Sequence, residues 1–91
     1  MEKLELYEQL IKKYDKNQII VAIEELSELQ KELCKHLRNK TNINNLIEEI
    51  ADVKIMIEQI CLYFEINDCD INKKINEKLK RTQERLIDNE C

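Results

Sequence analysis

The chain contains no glycine and no proline, and this double absence restricts its possible folds more than any other feature. Glycine supplies the positive φ of tight hairpin turns and proline fixes turn corners, so short strands joined by such turns lack their material. Apolar residues recur instead at helical spacing. The expected fold is all-α, a four-helix bundle-like domain. The same absence excludes a glycine-rich phosphate loop, because no bare backbone is present to approach a phosphate closely. Any phosphate has to be held by side chains or by a metal ion.

The periodicity predicts four helices. The first covers about residues 3–14, with Leu4, Tyr7, Ile11 and Tyr14 on one stripe, and ends at the polar break Asp15-Lys16-Asn17. The second covers about 17–37 and turns Ile19, Ile23, Leu26, Leu33 and Leu37 inward, with Ala22 and Leu29 beside them. The third covers about 43–64 with Thr41 or Asn42 as its N-cap, and the fourth about 68–87 with Asp68 or Asp70 capping it. No linker or low-complexity tract interrupts the sequence, so residues 1–91 form a single domain.

A lone domain of this size buries only about 60 % of the surface its unfolded chain exposes, which leaves little stability in reserve. The second half of the third helix sharpens the point. Ile55, Met56, Ile57, Ile60, Cys61, Leu62, Tyr63 and Phe64 leave it apolar on nearly all sides, and a helix of that kind is buried all round. Three neighbours do not supply enough cover, so a homodimer or homotetramer is expected.

A formal charge of -4 argues against a duplex nucleic-acid module, which presents a net basic face. No segment has the apolar length of a membrane span, and Met1-Glu2-Lys3 leads straight into an amphipathic pattern. No membrane partner and a cytoplasmic location are therefore expected. Cys34, Cys61, Cys69 and Cys91 contain no Cys-x-x-Cys pair, and the one histidine is His36, so zinc binding has little support. They read as reduced thiols: Cys34 and Cys61 near core faces, Cys69 at a helix start, and Cys91 in a frayed tail.

The chemistry resides in an internal repeat. Ile23-Glu24-Glu25-Leu26-Ser27-Glu28-Leu29 is echoed by Ile47-Glu48-Glu49-Ile50-Ala51-Asp52-Val53, identical or conservative at every position. Both copies set acids at i and i+3, so Glu25 and Glu28 lie on the same flank of their apolar stripe as Glu49 and Asp52 do on theirs. Antiparallel packing through those stripes brings four carboxylates to one edge. An all-oxygen cluster suits a hard cation, Mg²⁺ or Mn²⁺. Like-charge neighbours at i+4, namely Glu24 with Glu28, Glu28 with Glu32 and Glu48 with Asp52, disfavour the isolated helices and mark the acidity as local.

On the fourth helix, Lys74, Lys78, Arg81 and Arg85 line one flank of the Ile71, Ile75, Leu79 and Leu86 stripe. A basic stripe beside an acidic metal cluster is what a polyphosphate requires, the metal taking some oxygens and Lys and Arg neutralising the rest.

The joined pattern Glu24-Glu25-x-x-Glu28, then Glu49-x-x-Asp52 within Ala51-Asp52-Val53, resembles the MazG-like all-α nucleoside triphosphate pyrophosphohydrolases, and the related dimeric dUTPases share similar motifs. The resemblance extends from about Ile19 to Arg85. It implies Mg²⁺-dependent cleavage of a (d)NTP between the α and β phosphates, giving the (d)NMP and pyrophosphate. By it Glu25, Glu28, Glu49 and Asp52 are the metal ligands, and Lys78 with Arg81 or Arg85 falls where phosphate contacts are common. Glu24, close to Glu28 on the helix surface, is the candidate catalytic residue, either orienting a ligand or accepting the proton of the attacking water, while Glu48 holds the equivalent place in the repeat. The alternative is a helical interaction or metal-binding regulatory module without turnover.

Overall fold

The computed structural model describes residues 1–90, with side chains described as far as Asp88. The expected placement of Cys91 lies outside the described residues. The chain is all-helical, with α1 at Lys3–Tyr14, α2 at Lys16–Leu37, α3 at Ile43–Tyr63 and α4 at Asp68–Glu90, and no strand occurs among the described residues.

Without glycine, other residues adopt the backbone angles that end each helix. Asn39 (φ 59°) and Glu65 (φ 56°) are left-handed. Around Asn39, the Asn39 and Lys40 amides donate to the His36 and Lys35 carbonyls. Around Glu65, the Glu65 and Ile66 amides donate to the Leu62 and Cys61 carbonyls. Both are Schellman closures of the kind glycine normally completes. α1 and α2 meet at the single residue Asp15 (φ 46°, ψ -120°), whose Oδ1 accepts from the Tyr63 hydroxyl at 2.8 Å. That bond ties the α1–α2 corner to the end of α3.

The α3 N-cap is Asn42, whose Oδ1 accepts from the Asn45 amide at 3.1 Å. For α4 the cap is Asn67 rather than Asp68 or Asp70. The Asn67 Oδ1 accepts from the Cys69 amide at 2.7 Å, and its carbonyl accepts from the Ile71 amide. Asp68 and Asp70 instead fall in the first turn, where negative charge suits the helix dipole.

α2 and α3 pack antiparallel, and α1 lies against both. The buried apolar residues are Tyr7, Ala22, Val53 and Met56, and Gln18, Glu32 and Gln59 are buried with them. The face of α2 toward α3 is therefore Gln18, Ala22, Glu25, Leu29 and Glu32, spaced alternately four and three. This corrects the expected inward stripe. Ile23 is 61 % exposed, and Leu26, Leu33 and Leu37 are exposed too, because the helix is rotated to set Ala22 against α3. On α3, Ile47, Ile50, Ile55, Ile57 and Phe64 are likewise exposed, so its second half is not covered on all sides within one chain. Cys34, expected near a core face, is exposed for the same reason. Periodicity locates an apolar stripe but does not say which surface covers it.

α4 extends away from the other three helices. Every described residue from Phe64 onward is exposed, including Ile71, Ile75, Leu79 and Leu86. The radius of gyration is 16.9 Å, whereas a compact chain of this length has about 12 Å. No helix among the described residues is long and apolar enough to cross a membrane.

Candidate metal centre

A buried hydrogen bond sets the register of the α2–α3 seam. The Gln18 amide nitrogen donates to Gln59 Oε1 at 2.7 Å, and the same antiparallel alignment brings Glu25 opposite Asp52. One carboxylate oxygen from each of Glu25, Glu49 and Asp52 lies within 4.8 Å of the other two. All three residues are half-buried. They border the buried part of the seam, where α2 turns Glu25 toward α3 beside Ala22.

The electrostatics of this cluster are unfavourable as it stands. Burial pushes the Glu25 carboxyl above the ordinary glutamate range, and the charges of Asp52, Glu49 and Glu28 push it further. Glu49 is raised by burial and then by Asp52, Glu28, Glu32 and Glu48. Glu49 Oε2 is closed off from solvent and accepts no hydrogen bond. Both effects disfavour the ionised carboxylates, and a cation held between them would offset that cost.

These residues fit a hard divalent ion. They offer oxygen ligands only, an orphaned buried acceptor, and negative charge with no neighbouring Lys or Arg acting on Glu25 or Glu49. Oxygens around octahedral Mg²⁺ stand at most about 4.2 Å apart, so a modest closing of the side chains completes the cradle. Glu28 is exposed but acts electrostatically on both Glu25 and Glu49, which places it at the mouth of the cluster. Glu24 is exposed on the adjoining face, its carbonyl accepting from the Ser27 hydroxyl at 3.0 Å.

The basic stripe is placed differently. Lys78, Arg81, Thr82 and Arg85 line a shallow cavity of about 220 Å³ on α4, and Lys74 pairs with Glu77 at 3.0 Å. Since α4 does not pack along α2 or α3, a single chain does not hold this stripe against the acidic seam.

A larger cavity of about 560 Å³ opens between α1 and the end of α3, lined by Lys3, Leu4, Tyr7, Glu58, Cys61 and Leu62 among others. Three of its polar groups, Lys3, Tyr7 and Glu58, already satisfy one another. Glu58 accepts from Lys3 at 2.9 Å and from the Tyr7 hydroxyl at 3.0 Å, and those bonds hold its carboxyl below the ordinary range. Size favours this cavity, but the unpaired carboxylates favour the seam, and chemistry follows the latter.

The sequence pattern passed over one buried acid. Glu32 stands seven residues beyond Glu25, on the face that also carries Gln18, and it is buried. The seven-residue interval Gln18, Glu25, Glu32 was its signal, obscured by the stronger apolar stripe alongside. No family model, curated protein or solved structure matches the chain.

Proposed function

We propose that the chain is a Mg²⁺-dependent nucleoside triphosphate pyrophosphohydrolase of the MazG-like kind, converting a (d)NTP and water to the (d)NMP and pyrophosphate. The observation that carries this reading is the convergence of Glu25, Glu49 and Asp52 in one seam, with an unpartnered oxygen on Glu49. Glu25, Glu28, Glu49 and Asp52 would hold the ion. Mg²⁺, or Mn²⁺ in its place, supplies a Lewis acid for phosphate oxygens and acidifies nearby water.

The chain's own residues do the remainder. Glu24, solvent-accessible beside Glu25, accepts the proton of the attacking water or orients a ligand, and Glu48 is placed to serve Glu49 in the same way. Lys74, Lys78, Arg81 and Arg85 neutralise the polyphosphate. They reach it in a homodimer or homotetramer, where the exposed apolar faces of α2, α3 and α4 cover one another and α4 of one copy lies over the seam of another.

The test is product analysis. Full-length protein is incubated with a panel of NTPs and dNTPs plus Mg²⁺, and monophosphate and pyrophosphate are resolved. Equimolar release of both, lost in Glu49→Gln, is expected. No turnover with any nucleotide, or undiminished turnover in Glu49→Gln, would remove the enzymatic reading, and orthophosphate alone would assign a different phosphohydrolase.

The exposed apolar residues also favour a second reading, a helical docking module in which the acids serve solubility. Indifference of the protein to divalent cations would select it.

A further inference from the structure

We propose that the exposed apolar side of the α2–α3 layer packs on the same side of a second copy, so that α2 and α3 of two chains form one four-helix bundle that stays open on the acidic side of the seam. The proposal goes beyond the hydrolase reading, since it rests on packing alone and assigns which side of the layer is closed.

Both helices carry two stripes spaced alternately three and four. On α2 the stripe that meets α3 is Gln18, Ala22, Glu25, Leu29 and Glu32, and the next residues round the helix, Ile19, Ile23, Leu26, Gln30 and Leu33, repeat the spacing and continue it to Leu37. On α3 the stripe that meets α2 is Glu49, Asp52, Met56, Gln59 and Tyr63, and Ile50, Val53, Ile57, Ile60 and Phe64 follow it in the same way. An alternation of three and four keeps a stripe against one neighbouring helix along its whole length. A helix in a two-helix layer needs one such stripe, and a helix in a four-helix bundle needs two.

Handedness puts both spare stripes on one side. A step of one residue turns about 100° in the same sense along each helix. Because α2 and α3 run antiparallel, that step leads off the seam to the same side of the layer on both. The described residues leave this side uncovered: Ile23, Leu26, Leu33 and Leu37 are exposed on α2, as are Ile50, Ile57 and Phe64 on α3. Neither spare stripe contains Asp, Glu, Lys or Arg. One residue the other way stand Glu24 and Glu28 on α2 and Glu48 on α3, all exposed, so the charge gathers on the opposite side.

Size and charge select the occupant. α2 has 22 residues and spans about 33 Å at about 1.5 Å per residue. Two such helices side by side present about 600 Å² in projection and more in accessible surface, close to the about 800 Å² that each partner contributes to a stable interface. An uncharged face meets its own copy with no like charges opposed, as a two-fold interface requires. The stripe of α4 is bordered by Lys74, Lys78, Arg81 and Arg85 and complements the acidic side instead. The bundle therefore closes the seam behind Glu25, Glu49 and Asp52 and leaves it open toward Glu24, Glu28 and Glu48.

Gln30 is the one polar side chain in the spare stripes, and it is exposed in the single chain. Changing it therefore acts on the bundle and hardly on the fold of one chain, and a polar residue at such a position lowers bundle stability. The experiment is analytical ultracentrifugation of the full-length protein over a dilution series, without nucleotide or divalent cation. Wild type is expected to sediment at twice the 11.0 kDa of one chain or a multiple of that. Leu33→Glu is expected to halve the wild-type mass while circular dichroism stays helical. Gln30→Leu is expected to tighten association by about tenfold and Gln30→Glu to weaken it by about tenfold, a difference of about 1.4 kcal/mol each way.

A monomeric wild type would overturn the proposal. So would an oligomer whose mass is unchanged in folded Leu33→Glu, or whose dissociation constant is the same in both Gln30 variants as in wild type. Should Leu33→Glu fail to fold, the two Gln30 variants decide. No cation or nucleotide enters the measurement, so its failure is separate from a failure of the hydrolase reading.

Discussion

The Gln18 amide meets the Gln59 side-chain carbonyl at 2.7 Å inside the α2–α3 seam, and this buried bond sets the alignment that brings Glu25 to Asp52 and Glu49. An amide pair in a core has narrow geometric tolerance, so it specifies one register where apolar contacts alone would accept several. Substituting one partner leaves the other buried and unsatisfied. Gln59→Leu is expected to cost about 1–3 kcal/mol, while the Gln18→Leu, Gln59→Leu double variant recovers most of that loss. Urea unfolding of the four proteins of the cycle measures the coupling.

The metal-free protein is expected to lose stability as pH rises through the range where Glu25 and Glu49 ionise. Their folded-state values lie above the ordinary carboxylate range, so the stability tied to their protons is full below the unfolded-state pKa. It is lost as pH rises through the folded values. Glu58, lowered by its bonds from Lys3 and Tyr7, acts in the opposite sense, its contribution disappearing in acid. Comparing wild type with Glu25→Gln isolates the seam. In chelator, the variant is expected to melt higher than wild type at neutral pH and to lose that advantage near pH 4. Thermal melts across pH check both statements.

Glu65 closes α3 in the left-handed conformation, at φ 56°, which a residue with a Cβ adopts at a cost of about 1 kcal/mol. Glu65→Gly is expected to raise stability by up to that amount while leaving cation binding unchanged. Denaturant midpoints provide the measurement. The parallel substitution Asn39→Gly is expected to gain less, since Asn tolerates this region better.

The exposed Ile47, Leu26 and Leu79 are expected to lie within an interface between copies of the chain. Light scattering is expected to give a mass at least twice the 11.0 kDa of one chain, and Ile47→Lys or Leu79→Lys is expected to shift it toward the monomer. A monomeric wild type would mean that these faces serve another partner.

Much of this architecture was legible in the residues. The four helices begin and end within a few positions of their expected limits, because polar breaks and Asx caps are local signals and Asn42 sits where its cap was read. The repeated i and i+3 spacing of acids was legible too, although the structure brings together Glu25, Glu49 and Asp52 and leaves Glu28 exposed. What the sequence concealed was rotation. The strongest apolar stripe on α2, through Ile23, Leu26 and Leu33, faces outward, while the seam is built on Ala22 with Gln18, Glu25 and Glu32. Hydrophobic periodicity ranks faces by apolarity, and a face of small and polar residues ranks low even when hydrogen bonding holds it in the interior. The outward direction of α4 was concealed too, since its amphipathic pattern is the same whether its cover comes from its own chain or from another.

The most direct measurement is the thermal midpoint of the full-length protein as Mg²⁺ rises from chelator to about 10 mM. A ligand that binds only the folded state at one hundred times its Kd adds about 2.7 kcal/mol. A midpoint that climbs by several degrees in wild type and stays level in Glu49→Gln is the predicted result. A wild-type midpoint unmoved by Mg²⁺ and by Mn²⁺ over that range would contradict a cation site built from Glu25, Glu28, Glu49 and Asp52.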